Sequence, residues 1–381
     1  MRILRSILAI PAVLALVFPA CDDGGVSGEA DETDQALDSS TSDLKAAEPA
    51  TLLVPPYIYA TVGFETEIFF DNVVLVSDST KYRFHVSGID LGKKKGLVKK
   101  NGRKWAIVPT ADDVGRHLIK ISVESDKGGP TLAETETTLV VSAPNSSGAR
   151  LLLVGDSLTA SGVYPNAIGR MLGQSWTMLG SQTPTIKPCN TCEVAAPGVR
   201  HEGRSGWRWA TFVSDLKSPF LDVDAYMRDV CGGDPPDAIT ILLGINDVID
   251  ASDVADPTAV DRAIDVMITN ADTLLARFRS SMPFAAFAVA LTAPPNSRDA
   301  AFTYAYGTRI TRWGWRRAQH RTVERLIEHF GHRENENIHL IPTEVGLDTV
   351  DGYPLNDAVH PNALGYEQIA GSFYAWLMNW R

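Results

Sequence analysis

The sequence predicts an α/β fold: a three-layer α/β/α, flavodoxin-like domain on a parallel five-stranded sheet, preceded by a small all-β, immunoglobulin-like sandwich. Three observations lead there. From Ala149 onward, short apolar runs alternate with longer stretches whose apolar residues recur at helical spacing, the pattern of parallel strands joined by crossover helices. Over residues 51–143 the runs are short, alternate apolar with polar residues and are broken by turn residues, as in a half-buried antiparallel sheet. Between the two, Pro144-Asn145-Ser146-Ser147-Gly148 reads as a linker.

The elements follow in chain order. Arg2 and Arg5 precede an apolar run from Ile7 to Phe18, then Pro19-Ala20-Cys21. A basic start, a short apolar core and small residues before a cut describe a secretory signal, and the run is too short to span a bilayer. Cys21 falls where a bacterial lipoprotein is cleaved and acylated, although Phe18-Pro19 departs from the usual lipobox; an ordinary signal peptide is the alternative. The expected location is therefore extracytoplasmic, as an envelope lipoprotein or a secreted protein. Residues 22–50 carry nine acidic residues and one basic residue, a net −8 out of the chain's −11. Such a segment has too little apolar surface to fold and reads as a disordered spacer, with any membrane contact limited to a lipid anchor. The remaining −3 shows no clustered basic face, which argues against a nucleic-acid partner.

The sandwich strands are read at Ile58–Val62, Glu67–Phe70, Tyr82–Val86, Trp105–Val108, His117–Val123 and Glu136–Val141, separated by turns such as Val62-Gly63 and Asn101-Gly102. Lys93-Lys94-Lys95 and Lys99-Lys100 read as a charged hairpin in solvent rather than a surface for an anionic polymer. The α/β strands are read at Leu151–Val154, Trp176–Leu179, Ala238–Leu243, Ala285–Leu291 and Ile338–Ile341. The helices are read over 163–173, 219–230, 257–281, 307–330 and 362–379. Of the cysteines beyond Cys21, Cys189 and Cys192 suit a local disulfide outside the cytoplasm, and Cys231 is left over or pairs with one of them. A structural zinc site needs four ligands, and only one cysteine pair is present.

Ligands bind at the carboxyl ends of the strands in such sheets, which directs attention to Gly155-Asp156-Ser157 after the first strand. The stretch has neither the lysine of a phosphate-binding loop nor a dinucleotide fingerprint, and Asp156 would repel a phosphate. Ser157 is then a helix cap or a nucleophile. A nucleophile needs a base, a group that orients it and donors for an oxyanion. His360 with Asp357 three residues before it can supply the first two, although a lone Asp-x-x-His is common. Asn246, in Gly244-Ile245-Asn246-Asp247, can donate into the strand-end cleft or merely form an Asx turn. Gly206, in Glu202-Gly203-Arg204-Ser205-Gly206-Trp207, lets its backbone N–H approach a carbonyl or is an ordinary loop glycine. The Ser157 N–H is a third candidate donor.

These blocks, in this order, resemble the four blocks of the SGNH (GDSL) hydrolases, and the resemblance covers roughly residues 149–381. It implies Ser157 as nucleophile, His360 as base oriented by Asp357, and Ser157, Gly206 and Asn246 around the oxyanion, with no metal or cofactor. Gly203 is the rival to Gly206; Gly206 is preferred because the family's glycine usually follows a small residue, here Ser205. The implied activity is hydrolysis of carboxylic esters through an acyl-enzyme. Trp207 and Trp209, and Trp313 and Trp315, could stack on sugar rings or pack in the core; Trp207 is the candidate substrate contact. A secreted enzyme with a sandwich module points to a small or polymeric ester, carbohydrate-linked with a short acyl group such as acetyl. The alternatives are a phospholipase or thioesterase of the same family, and an inert surface binding protein.

Overall fold

The computed structural model describes residues 51–88, 91, 96–99, 102–125, 129–184, 196–252, 256 and 258–380. Cys21, Cys189, Cys192, Lys93–Lys95 and Lys100 lie outside the described residues.

Seven strands come first: β1 (Tyr57–Thr61), β2 (Thr66–Phe69), β3 (Arg83–Gly88), β4 (Leu97–Lys99), β5 (Lys104–Ile107), β6 (Gly115–Glu124) and β7 (Thr131–Ser142). They form a four-stranded sheet of order β1-β7-β6-β3 and a three-stranded sheet of order β2-β5-β4. Among the described strands of these two sheets, β1 and β7 pair in parallel and the other pairs are antiparallel. In β6, Ile119, Ile121 and Val123 are buried while Lys120 and Ser122 face outward, so one face of the sheet is core. Phe70 stacks on Phe84 with ring centroids 4.3 Å apart. Phe70 belongs to a one-turn helix, α1 (Phe70–Val73), which the alternating pattern did not predict.

The sandwich shares its core with the segment after the last strand of the α/β part: Val345 is buried among the sandwich residues. The Phe69 N–H donates to the Val345 carbonyl at 2.9 Å. Asn72 Nδ2 donates to the carbonyls of Glu344 and Leu347 at 2.6 and 2.8 Å. Arg316 donates to the carbonyls of Asp71 and, at 3.2 Å, Val74. Sandwich and α/β part thus meet across a seam in which buried backbone groups of one are satisfied by side chains of the other.

The parallel sheet contains β8 (Arg150–Gly155), β9 (Thr177–Leu179), β10 (Glu202–Gly203), β11 (Ala238–Leu242), β12 (Ala286–Ala290) and β13 (Ile338–Ile341). Its order is β10-β8-β11-β12-β13, with β9 beside the first half of β8 and the two-residue β10 beside its end. The five expected strands are all present, and β10 is an addition too short for its apolar pattern to register. Every residue of β11 and β12 is buried, because helices cover both faces.

The helices are α2 (Ser157–Ala160), α3 (Val163–Leu172), α4 (Trp209–Ser214), α5 (Val223–Asp229), α6 (Ile245–Val248), α7 (Ala259–Ser281), α8 (Asp299–Tyr306), α9 (Arg312–Phe330) and α10 (Ala363–Trp380). α3 and α10 pack together, with the Tyr164 and Phe373 rings 5.1 Å apart, and α7 packs with α4 and α9. Two expected helices differ in extent. The stretch 307–330 begins later, because Gly307 at φ 63° ends α8 and the Thr311 side chain caps α9 by accepting from the Gly314 N–H at 3.0 Å. The stretch 219–230 starts at Val223, capped by Asp222, which accepts from the Ala225 N–H at 2.8 Å.

Candidate active site

β8 delivers Ser157 to the carboxyl edge of the sheet. Gly155 is required there, since a Cβ would lie 2.0 Å from Thr159 Oγ1 and 2.7 Å from the Leu242 carbonyl oxygen. Asp156 is buried and caps α2, its Oδ1 accepting from the Leu158 N–H at 2.9 Å. Burial pushes its carboxyl up to about 6, against the opposing pull of the Leu158 N–H and the His360 charge. Ser157 opens α2, which is only four residues long. Few peptide dipoles add up over one turn, so any oxyanion stabilisation at Ser157 comes from its N–H more than from a helix dipole.

Asp357 and His360 occupy the loop between β13 and α10. Ser157 Oγ lies 2.9 Å from His360 Nε2. On the other side of the ring, Nδ1 lies 2.9 Å from Asp357 Oδ2 and 3.1 Å from Oδ1. The carboxylate can only accept, so Nδ1 carries the proton and Nε2 is free to accept from the serine hydroxyl. Asp357 Oδ1 also accepts from the N–H groups of Val359 and His360, at 3.0 and 2.8 Å. Burial opposes the Asp357 charge, but His360 and these two N–H groups outweigh it and hold the carboxyl below its ordinary value. Burial likewise disfavours imidazolium at His360, but the bond to Asp357 and the charges of Asp357 and Asp156 outweigh it and raise its pKa above the usual 6.5.

The other expected residues stand around this chain of three. Asn246, in α6, donates from Nδ2 to the Trp207 carbonyl at 3.1 Å, and Asp156 Oδ2 lies 3.5 Å from the same nitrogen. Gly206 sits at φ 77° in a turn closed by the Trp207 N–H on the Arg204 carbonyl, 3.1 Å. Among the described residues nothing accepts from the N–H groups of Ser157 and Gly206. Gly203 is different. Its N–H donates to His201 Nδ1 at 3.1 Å, and a Cβ there would lie 2.3 Å from the backbone nitrogen of Ala160. Gly203 is therefore the contact between β10 and α2, and its N–H is already taken.

The tryptophans divide. Trp209 and Trp315 are core residues, 1% and 0% exposed. Trp207 is half-buried, edge-on to Phe212 with centroids 4.7 Å apart, and the Arg204 guanidinium lies 5.4 Å above its ring. Trp313 is also half-buried and lines a cleft at the seam. Cys231 is a buried free thiol, pushed up to about 11 by burial. Among the described residues, no cluster of three or more His, Cys, Asp or Glu could hold a metal ion.

Several residues that shape the site carry no motif. Asn296 is fully buried after β12; its Nδ2 donates to the Pro354 and Asp357 carbonyls, both at 2.8 Å, and its N–H to the Ala358 carbonyl at 3.0 Å. It ties down the loop that carries Asp357 and His360. Glu202, also fully buried, accepts from Tyr226 Oη at 2.9 Å, Arg204 Nη2 at 2.8 Å and the Ser181 N–H, fixing the segment before Gly206. Asp247 accepts from the Trp209 N–H at 3.1 Å, and burial pushes its carboxyl up to about 7. The sequence signals were faint: two prolines before Asn296, and an acidic residue before Gly203.

Comparison with known proteins places this geometry in context. The family model for the GDSL-like Lipase/Acylhydrolase matches residues 151–373. Among solved structures, a family 3 carbohydrate esterase from Clostridium thermocellum is 17% identical with a TM-score of 0.39, over 60% of this chain and 94% of that chain. A family 3 carbohydrate esterase from Talaromyces cellulolyticus is 18% identical with a TM-score of 0.42, over 60% and 96%. The acetyl xylan esterase AlAXEase is 13% identical with a TM-score of 0.33, over 60% and 99%. No curated protein matches the chain.

Proposed function

Because the chain belongs to the GDSL-like lipase/acylhydrolase family, we propose that it is a serine esterase in which Ser157, His360 and Asp357 act as a triad. The observation that carries this reading is the unbroken run of contacts from Asp357 through His360 to Ser157 Oγ, each 2.9 Å. His360 takes the hydroxyl proton at Nε2 as Ser157 Oγ attacks the ester carbonyl, and Asp357 steadies the imidazolium that forms. The oxyanion is met by the Ser157 and Gly206 N–H groups and by Asn246 Nδ2, which turns from the Trp207 carbonyl towards the developing charge. His360 returns its proton to the leaving alcohol, then activates the water that frees the acid from Ser157.

The preferred substrates in this proposal are short-acyl esters, acetyl above all, on carbohydrate. Trp207 packs edge-on to Phe212 with the Arg204 guanidinium over its ring; its chain neighbour Arg208 pairs with Asp250 at 3.0 Å, as Arg309 does at 2.8 Å, and such polar groups suit a hydroxyl-rich substrate. The test is a nitrophenyl ester series of rising acyl length, extended to acetylated polysaccharides, phospholipid and acyl thioester, each set against Ser157→Ala. Preference for acetyl esters of glycans supports the reading; preference for phospholipid or thioester replaces the substrate and keeps the chemistry. Equal inactivity of wild type and Ser157→Ala across pH leaves the binding-protein alternative.

We also propose that residues 1–21 direct export, that Cys21 is the lipid attachment point and that the acidic spacer tethers two modules, 51–143 and 149–381. Metabolic labelling with a palmitate analogue, lost in Cys21→Ala, tests the attachment; labelling that persists in the variant overturns it.

A further inference from the structure

We propose that the seam between the sandwich and the α/β part is a subsite for the glycan chain that bears the ester, with the Trp313 indole as its platform. The inference rests on the esterase reading for the acyl end of the substrate and adds the sugar chain.

The seam opens into a cleft of about 390 Å³, within the range of small-ligand sites. Asp78 and Thr80 line it from the sandwich; Asn296, Arg312, Trp313 and Thr349 line it from the other side. Its position follows from the sheet. Asn296 comes after β12 and Thr349 after β13, so the cleft lies on the carboxyl edge that also carries Ser157. β12 is two strands from β8, about 10 Å at ordinary strand spacing, a reach of a few sugar units. Asn296 belongs to both places: it lines the cleft, and its Nδ2 holds the Asp357 carbonyl at 2.8 Å.

The groups on offer suit a neutral sugar. Trp313 is half-buried and lines the cleft, with the Arg317 guanidinium 6.0 Å from its ring centroid on one face; the other face is the one proposed for the sugar, since sugar C–H faces pack on such rings while their hydroxyls seek polar partners. Arg312 uses Nε to pair with Asp299 at 2.9 Å; its two Nη groups make no hydrogen bond among the described residues. Asp78 engages Thr80 through Oδ1 alone, leaving Oδ2 as an acceptor. A guanidinium fork and a carboxylate oxygen match the donor and acceptor pairs of vicinal hydroxyls. The other charges are spent inside the protein: Arg103 pairs with Asp71 at 2.9 Å and Asp348 at 3.3 Å, and Arg316 is bonded to backbone carbonyls. The cleft is therefore no trap for a polyanion.

The test uses the full chain with Ser157→Ala, which separates binding from turnover, titrated with unacetylated xylohexaose, mannohexaose and chitohexaose. We expect saturable binding of at least one, weakened about five- to tenfold by Trp313→Ala, less by Trp313→Phe, and about threefold by Arg312→Ala. With Ser157 restored, the ratio of kcat/KM on the acetylated form of that glycan to kcat/KM on nitrophenyl acetate should fall by a similar factor. Thermal melts of each variant separate lost binding from lost folding. No binding of any hexasaccharide, or binding that Trp313→Ala and Arg312→Ala leave intact, overturns the subsite. Binding that depends on Trp313 in a protein whose wild type cleaves no ester keeps the subsite and removes the esterase reading.

Discussion

The Asp357 and His360 side chains each keep 36% of their surface open, whereas Asp348 and Arg316 at the seam are sealed, at 0% and 7%. Both clusters are polar and both sit at the carboxyl edge of the sheet. The first pairs Asp357 with His360 three residues on in one loop, which long-range bonds tie to Ser157 and to Asn296. The second joins segments some 240 to 280 residues apart, mainly by side chains that donate to backbone carbonyls. A group that must pass a proton to a substrate has to stay reachable and keep an unused valence. A group that closes an interface has to be satisfied and dry, because an orphaned buried polar atom costs about 1–3 kcal/mol. Variants in the first cluster should change rate and spare stability; variants in the second should do the reverse.

The sharpest contrast is Ser157→Ala, which should lower kcat on a short ester by on the order of 10⁴- to 10⁶-fold while leaving the melting temperature within a degree or so of wild type. Asn246→Ala should follow with a loss of about 10²- to 10³-fold in kcat and little change in KM, since its amide is proposed to act on the oxyanion alone. A large fall in stability with either variant would erase the distinction between the clusters.

Arg316→Ala tests the other side. It strips donors from the Asp71 and Val74 carbonyls and from Gln319 Oε1, the last now at 2.7 Å. We expect a loss of about 3 kcal/mol in denaturant unfolding, with kcat per folded molecule reduced by no more than a few-fold. A collapse of kcat in the folded fraction would mean that the seam also governs the catalytic loop.

The two clusters differed in how legible they were. Ser157, Asn246, Asp357 and His360 stood out because each sits in a short block after a strand or in a loop, in an order that resembles a known family. The parallel strands were readable because β8, β11 and β12 are buried on both faces and so read as unbroken apolar runs. The seam was not. Asn72 and Glu344 stand in no motif, and their meeting depends on the sandwich docking onto the segment after β13, which no local pattern encodes. In the sequence Gly206 is distinguished from Gly203 only by its small neighbour; that the Gly203 N–H donates to His201 is visible only in three dimensions. The helix expected over 307–330 starts too early and α8 before it is not anticipated, because the Gly307 turn that ends α8 and the Thr311 cap that starts α9 are features of backbone geometry rather than of apolar spacing.

Proton chemistry sharpens the comparison further. Only neutral His360 can accept from Ser157, and its pKa lies above 6.5. The acid limb of kcat/KM should therefore have its midpoint above 6.5, with activity rising as pH increases through it. Asp357→Asn removes the group that favours imidazolium, so the surviving activity should show its midpoint at lower pH. A limb that stays in place would show that another group controls it.

The smallest effect we expect belongs to Glu344, a buried carboxyl of the seam that, unlike Asp348, pairs with no arginine among the described residues. Burial pushes it up to about 8, against the opposing pull of its own and the Val345 N–H groups and of the Arg316 charge, and its Oε2 has no hydrogen-bond partner among the described residues. The folded chain therefore holds a proton at neutral pH that the unfolded chain, with an ordinary value of 4.5, releases. By linkage, stability is greatest below the unfolded value and declines as pH rises towards the folded one. Glu344→Gln keeps the shape and cannot ionise, so it should flatten that decline. Melts should show the variant close to wild type near pH 4 and more stable by about 1–3 kcal/mol near pH 8. Asp156 and Asp247, pushed by burial up to about 6 and about 7, and His360, raised above its ordinary value, are common to both proteins and cancel in the difference. A variant less stable than wild type at both pH values would mean that the carboxyl is held charged by partners in the seam, and that the seam is less dry than its geometry implies.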